Sequence, residues 1–138
     1  MSAGKSTDAQ TVVVRPDQII WMSNPTIQGG QMAILTGDPT KAGVVAMRFK
    51  FPANRRQPPH SHPHAEIVTV LSGRVGYGEG ELFDTSKGEI GKSGTFAVVP
   101  AKKVHFVWTE DEEAVVQVQF VGPFGIDYIN PADDPRRK

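Results

Sequence analysis

The chain contains no cysteine. Disulfides, thiolate metal sites, iron–sulfur clusters and cysteine nucleophiles are therefore excluded. Metal or redox chemistry, if there is any, falls to histidine and carboxylate. Net charge is missing too, since fifteen Lys and Arg balance fifteen Asp and Glu. With no long basic run, the positive field that phosphate neutralisation needs is lacking, so nucleic acid is not expected as a partner. No apolar run approaches the roughly 18–20 residues of a membrane span, and no membrane partner is expected. The opening MSAGKSTDAQ lacks the apolar h-region of a signal peptide. Cytoplasm is the default expectation for compartment, with periplasm or secretion the alternative if a leader has been removed. Amphipathic helices of three or more turns are absent from the pattern as well.

What is present is turn chemistry between short apolar runs. Fourteen Gly and eleven Pro are spread along 138 residues, a length that suits one domain. Residues 1–10 are small and polar and are expected to be disordered. Residues 11–130 read as one domain, and 131–138 as a polar surface tail. A β-branched run at 12–14 is closed by Pro16, and 21–30 reads as loop. Strands are expected over 32–36, 44–51, 66–71, 74–77, 95–99, 104–109, 114–121 and 126–129. Gln57, Pro58 and Pro59 read as a loop, as does the polar stretch that runs to Gly94. Many short strands punctuated by Gly and Pro call for an all-β antiparallel sandwich or barrel with little helix.

The histidines are unevenly placed. His60, His62 and His64 lie within five residues, and His105 stands apart. On extended backbone His60 and His62 point to the same side. Glu66 has the same parity and opens a strand whose Val68 and Val70 share its side. A carboxylate on the inward, apolar side of a strand is costly unless it is paired or coordinated, and a divalent metal would compensate it. His105 opens another apolar strand, on the side of Val107. His64 is expected in a solvated loop.

The spacing His60-x-His62-x3-Glu66-x6-Gly73 resembles the first motif of the cupin superfamily, and Gly94-x5-Pro100-x4-His105 resembles the second. The resemblance runs over about 44–121 and is nearest to small single-domain bacterial cupins. It implies a jelly-roll β-barrel holding one divalent metal ion per chain, with His60, His62, Glu66 and His105 on the four ligand positions. Two residues depart from the pattern: Lys102 replaces a usual Gly, and Thr109 a frequent Asn. Neither is a ligand position. Three imidazoles and one carboxylate suit Fe, Mn, Ni, Co or Zn. An octahedral ion would keep two positions open, whereas a tetrahedral zinc would be closed.

Around that centre, Phe49, Phe51, Phe96, Phe106 and Trp108 read as packing residues, with Phe49 a pocket candidate. Tyr77 and, more weakly, Arg48 are further pocket candidates. In 114–121, Gln117 and Gln119 share one face, and Val116, Val118 and Phe120 the other. Parity leaves open which face is inward; inward glutamines would be polar pocket residues. Phe106 and Trp108 have the opposite parity to His105, so an apolar outer face is expected. Cover by the N-terminal segment or a second subunit would bury it, and a homodimer is expected on that ground and by resemblance. Gly76-x-Gly78-x-Gly80 lacks the strand–turn–helix setting of a phosphate loop. Three functions are compatible with these residues. The first is a metal-dependent oxidoreductase of dioxygenase type acting on a small organic substrate. The second is a non-oxidative isomerase, lyase or decarboxylase, and the third a metal- or ligand-binding or sensing module. The open positions favour the first, with Glu66 also a candidate catalytic base.

Overall fold

A computed structural model describes residues 9–137. Most of the disordered segment expected at 1–10, and the last residue of the tail, lie outside the described residues. Alternating apolar and polar side chains make extended backbone, and eleven strands result. They are β1 (Met22–Ser23), β2 (Gln31–Thr36), β3 (Gly43–Phe51), β4 (Arg56–Ser61), β5 (Glu66–Ser72), β6 (Arg74–Glu79), β7 (Glu89–Lys92), β8 (Phe96–Val99), β9 (His105–Trp108), β10 (Ala114–Gly122) and β11 (Asp127–Tyr128). All the strand pairs are antiparallel. One sheet has the order β1-β2-β3-β10-β5-β8 and the other β11-β4-β9-β6-β7. Together they form the all-β, jelly-roll barrel. Helical structure among the described residues is limited to three-residue 3-10 turns, two of them in the tail at Pro131–Asp133 and Pro135–Arg137. None of the described helices is long and apolar enough to cross a membrane.

The core explains which face of β10 turns inward. β10 runs between β3 and β5, with Val118 opposite Met47 on one side and Val68 on the other. Val116, Val118 and Phe120 join Ile27, Val45, Met47, Phe51 and Val70 in one buried cluster. Burying one such side chain contributes about 1.5–3 kcal/mol, whereas a glutamine there would need partners for its amide. Gln117 and Gln119 therefore lie on the outer face, where Arg48 Nε donates to Gln117 Oε1 at 3.0 Å. None of these three is a pocket residue.

Three stretches read as loop contain strands, the shortest being β1 within 21–30. β4 includes Pro58 and Pro59, which a regular ladder would exclude. It accommodates them with a bulge: Gln57 pairs with Val107 and His60 with His105, so two residues of β4 oppose one of β9. β7 lies in the polar stretch before Gly94 because its ladder to β6 is completed by residues distant in sequence. Conversely, the β-branched run 12–14 forms no strand and is exposed.

The apolar outer face of β9 is covered by the chain itself. Phe106 and Trp108 are buried, and Phe83 packs on both, with ring centroids 4.9 and 6.0 Å away. Across the ladder, Gly76 pairs with Trp108 and Gly78 with Phe106. A Cβ at either glycine would overlap the facing ring. The glycine-rich sequence of β6 is thus a seat for two aromatic rings. Neither the N-terminal segment nor a second subunit is needed to cover this face, so it supplies no argument for a dimer.

Both departures from the second motif are structural. Lys102 takes a left-handed backbone with φ of 67°, and its N–H donates to the His62 carbonyl at 2.9 Å. Thr109 is buried; its Oγ1 donates to the Pro52 carbonyl at 2.6 Å and accepts from the Arg55 N–H at 3.0 Å. It ties the end of β9 to the connection between β3 and β4.

Two stability measurements follow. Gly76→Ala is expected to destabilise the fold by about 1–3 kcal/mol in urea unfolding, because the ring of Trp108 has nowhere to move. Lys102→Gly is expected to stabilise it by up to about 1 kcal/mol, since relief of the left-handed strain outweighs the added unfolded-state entropy.

Candidate metal centre

Two paired strands deliver the histidines. His60 sits near the end of β4, His62 just beyond it, and His105 opens β9 opposite His60. Glu66 opens β5 on the inward side with Val70, as its parity requires. All four side chains are buried. Ring centroids are 4.9 Å apart for His60 and His62, 4.3 Å for His60 and His105, and 5.3 Å for His62 and His105. One nitrogen from each ring lies within 4.8 Å of the others, a group that can hold a metal ion. Glu66 Oε1 lies 3.5 Å from His62 Nε2.

The protonation pattern follows from the hydrogen bonds. Nδ1 of His60 meets the Pro58 carbonyl at 2.7 Å, Nδ1 of His62 the Gly125 carbonyl at 2.7 Å, and Nδ1 of His105 the Lys103 carbonyl at 2.9 Å. A carbonyl only accepts, so each Nδ1 carries the proton. Each Nε2 is left with its lone pair, the form a metal ligand needs. Burial holds the rings neutral: it lowers His60 to about 3, helped by the neighbouring imidazoles, and His62 to about 4, and it lowers His105 as well. Burial pushes the Glu66 carboxyl the other way, up to about 7. A buried carboxyl beside three neutral imidazoles has no positive charge to offset its ionisation. A divalent cation would supply that charge; the three imidazole nitrogens lie close enough together to hold one, with the Glu66 carboxyl beside His62 but outside that group.

The centre opens on a cavity of about 370 Å³, within the usual range for small-molecule sites. Its walls are mostly apolar and include Phe49, Phe51, Val68, Val107, Val118 and Phe124. Tyr77 also lines it. The Tyr77 ring stacks on His105 at 5.4 Å, and its hydroxyl donates to Glu79 Oε2 at 2.8 Å. Burial and that hydrogen bond raise its pKa. Of the expected pocket candidates, then, Phe49 and Tyr77 face the cavity, whereas Gln117 and Gln119 do not. His64 is exposed.

Residues 9–124 match the profile of the ChrR Cupin-like domain. The chain belongs to that cupin family. Solved structures with the same fold include the polyketide cyclase RemF from Streptomyces resistomycificus, 18% identical over 93% of this chain and 92% of that one, with a TM-score of 0.76. KdgF from Halomonas sp. is 20% identical over 81% and 94% of the two chains, with a TM-score of 0.62. An oxalate oxidase solved with the substrate analogue glycolate is 28% identical, with a TM-score of 0.53; the match spans 63% of this chain and 46% of that one. No curated protein matches this cupin in sequence.

Sequence reasoning missed a polar group in the same cavity: Asn24, Thr26 and Gln57. Asn24 and Thr26 lie in a segment read only as a loop. Strict alternation along β4 would put Gln57 opposite His60, but the bulge restores both to the inner side. The adjacent prolines were the available signal, since they point to a bulge when they fall within a strand.

Metal loading should expose the state of Glu66. Its raised pKa leaves it protonated at pH 6 and largely ionised at pH 8, while the imidazoles are neutral at both. Zinc binding is expected to release about one proton per ion at pH 6 and much less than one at pH 8. Titration calorimetry in buffers of different ionisation enthalpy reads this directly. Glu66→Gln should abolish the release at pH 6.

Proposed function

We propose that this cupin is a metal-dependent oxidoreductase of dioxygenase type acting on a small, largely apolar organic substrate. One divalent ion per chain would be held by the Nε2 atoms of His60, His62 and His105, with the Glu66 carboxylate as fourth ligand. The observation that carries the reading is the convergence of three tautomer-locked imidazoles and a buried carboxyl on the floor of an apolar cavity. A closed storage or structural site has no use for such a cavity. When bound, the ion would act as a Lewis acid and a template that brings substrate and dioxygen together. The chain's own residues do the rest. The apolar walls exclude water and bury the substrate's body. Glu66, next to His62, can take or return a proton at Oε1.

The non-oxidative reading, isomerase, lyase or decarboxylase, draws support from Tyr77. Its hydroxyl, bonded to Glu79 beside His105, is a second proton-carrying group at the cavity. The likeness to a polyketide cyclase is compatible with that chemistry and supports the fold alone.

Elemental analysis of protein purified without added metal is expected to find iron, manganese, nickel, cobalt or zinc, at about one ion per chain. His60→Ala and His105→Ala should both reduce it to background; unchanged metal content in both would overturn the ligand assignment. With a small panel of apolar chelating substrates, an oxygen electrode should show uptake that stops in Glu66→Gln and His105→Ala. Turnover without oxygen uptake would decide for the non-oxidative reading. A zinc site with four protein ligands and no water would exclude both.

A further inference from the structure

The cavity has a second polar end, and its hydrogen bonds leave one donor and one acceptor unused. The Thr26 N–H donates to Asn24 Oδ1 at 2.9 Å, and the Thr26 hydroxyl donates to the same oxygen at 2.7 Å. Having given its proton away, the Thr26 hydroxyl can only accept, and Gln57 Nε2 donates to it at 3.4 Å. The chain of bonds therefore sets both amide orientations. It runs from Gln57 through Thr26 to Asn24 and ends in two free groups, Gln57 Oε1 and Asn24 Nδ2. Neither has a protein partner among the described residues, although Asn24 is 6% exposed. The Gln57 amide also lies against the phenol of Tyr128 and lowers its pKa against the rise from burial. Asn24 and Gln57 both line the cavity, where a ligand is the group that would complete their hydrogen bonding.

Gln57 and His60 are three residues apart on β4 and, because of the bulge, both face the cavity. Their partners Val107 and His105 are two residues apart on β9, so along the ladder the pair is separated by roughly 7 Å. Between the two ends the walls are apolar, with Phe49, Phe51 and Val116 among them. No lysine or arginine lines the cavity, so an anionic group at the amide end would be uncompensated.

We infer that Asn24 and Gln57 form a recognition site for a neutral hydroxyl at the end of the substrate remote from the metal. Asn24 Nδ2 donates to the hydroxyl oxygen, and Gln57 Oε1 accepts its proton. The substrate class is a small, uncharged organic compound with metal-binding oxygen at one end and a hydroxyl at the other. This rests on the proposed function for its metal-bound end and on the amide pair alone for the other.

The test uses two near-isosteric probes under anaerobic conditions, 1,2,4-trihydroxybenzene and 4-methylcatechol, with zinc-loaded protein to prevent turnover. The quantity read by calorimetry is the ratio of their affinities. Gln57→Leu is expected to lower the ratio in favour of the triol by up to about tenfold, the value of one buried hydrogen bond. Asn24→Asp keeps the acceptor oxygen that Thr26 needs, loses the donor, and should lower the ratio as well. The affinity for 4-methylcatechol should change little in either variant. An unchanged ratio in both variants would overturn the inference. A second arm measures phenol against toluene on metal-free protein by ligand-observed NMR. A ratio that falls there in Gln57→Leu, in protein that fails to hold zinc, would support the hydroxyl site and overturn the metal reading. Tight binding of both probes to zinc-loaded protein with no ratio change would do the reverse.

Discussion

The Nδ1 protons of His60, His62 and His105 go to main-chain carbonyls at Pro58, Gly125 and Lys103, and the chemistry of the site depends on those three bonds. Each fixes a tautomer, turns a ring and leaves a lone pair on Nε2 aimed inward. Burial then removes the competing option of protonation, since an imidazolium in this cavity would lose most of its hydration. The carbonyls belong to β4, to the connection between β10 and β11, and to the turn before β9. The donor set is thus a property of the barrel wall, and any slip of these strands would change the ligand geometry.

The wall is held in place by packing on both of its sides. Inside, β10 is zipped between β3 and β5, and its valines and Phe120 fill the base of the barrel. Outside, Phe106 and Trp108 alternate with His105 and Val107 along β9 and are roofed by Phe83. Gly76 and Gly78 make that roof possible by giving the rings room across the ladder. The same four-residue strand therefore carries one of the three clustered imidazoles on one face and the outer apolar layer on the other. Lys102 and Thr109 brace its two ends through bonds to His62, Pro52 and Arg55.

The metal-facing residues were readable because they obey local rules. His60, His62 and Glu66 show their common side through spacing alone, and Glu66 at the head of an apolar strand face is an anomaly that demands a partner. His105 shows itself through the motif that precedes it. Gln57 was hidden by the opposite circumstance: a bulge shifts parity by one, and the shift depends on the partner strand β9. Gln117 and Gln119 stayed ambiguous because an alternating strand reads equally well in either direction until the opposite sheet is known. Phe83 sits in a polar, glycine-containing stretch whose return over β9 has no local signature.

The sequence by itself determined the all-β class, the absence of thiolate chemistry and the common side of His60, His62 and Glu66, to which His105 was joined by resemblance to the second motif. Alternation, turn residues and spacing are local, and they need no knowledge of what lies opposite. Only the tertiary structure decided which face of β10 is inside, what covers Phe106 and Trp108, which ring nitrogens are free, and that Gln57 and Asn24 share the cavity with the imidazoles. Each of these is a relation between segments far apart in the chain. It is set by competition for burial and by hydrogen bonds to backbone groups that only the folded barrel brings near.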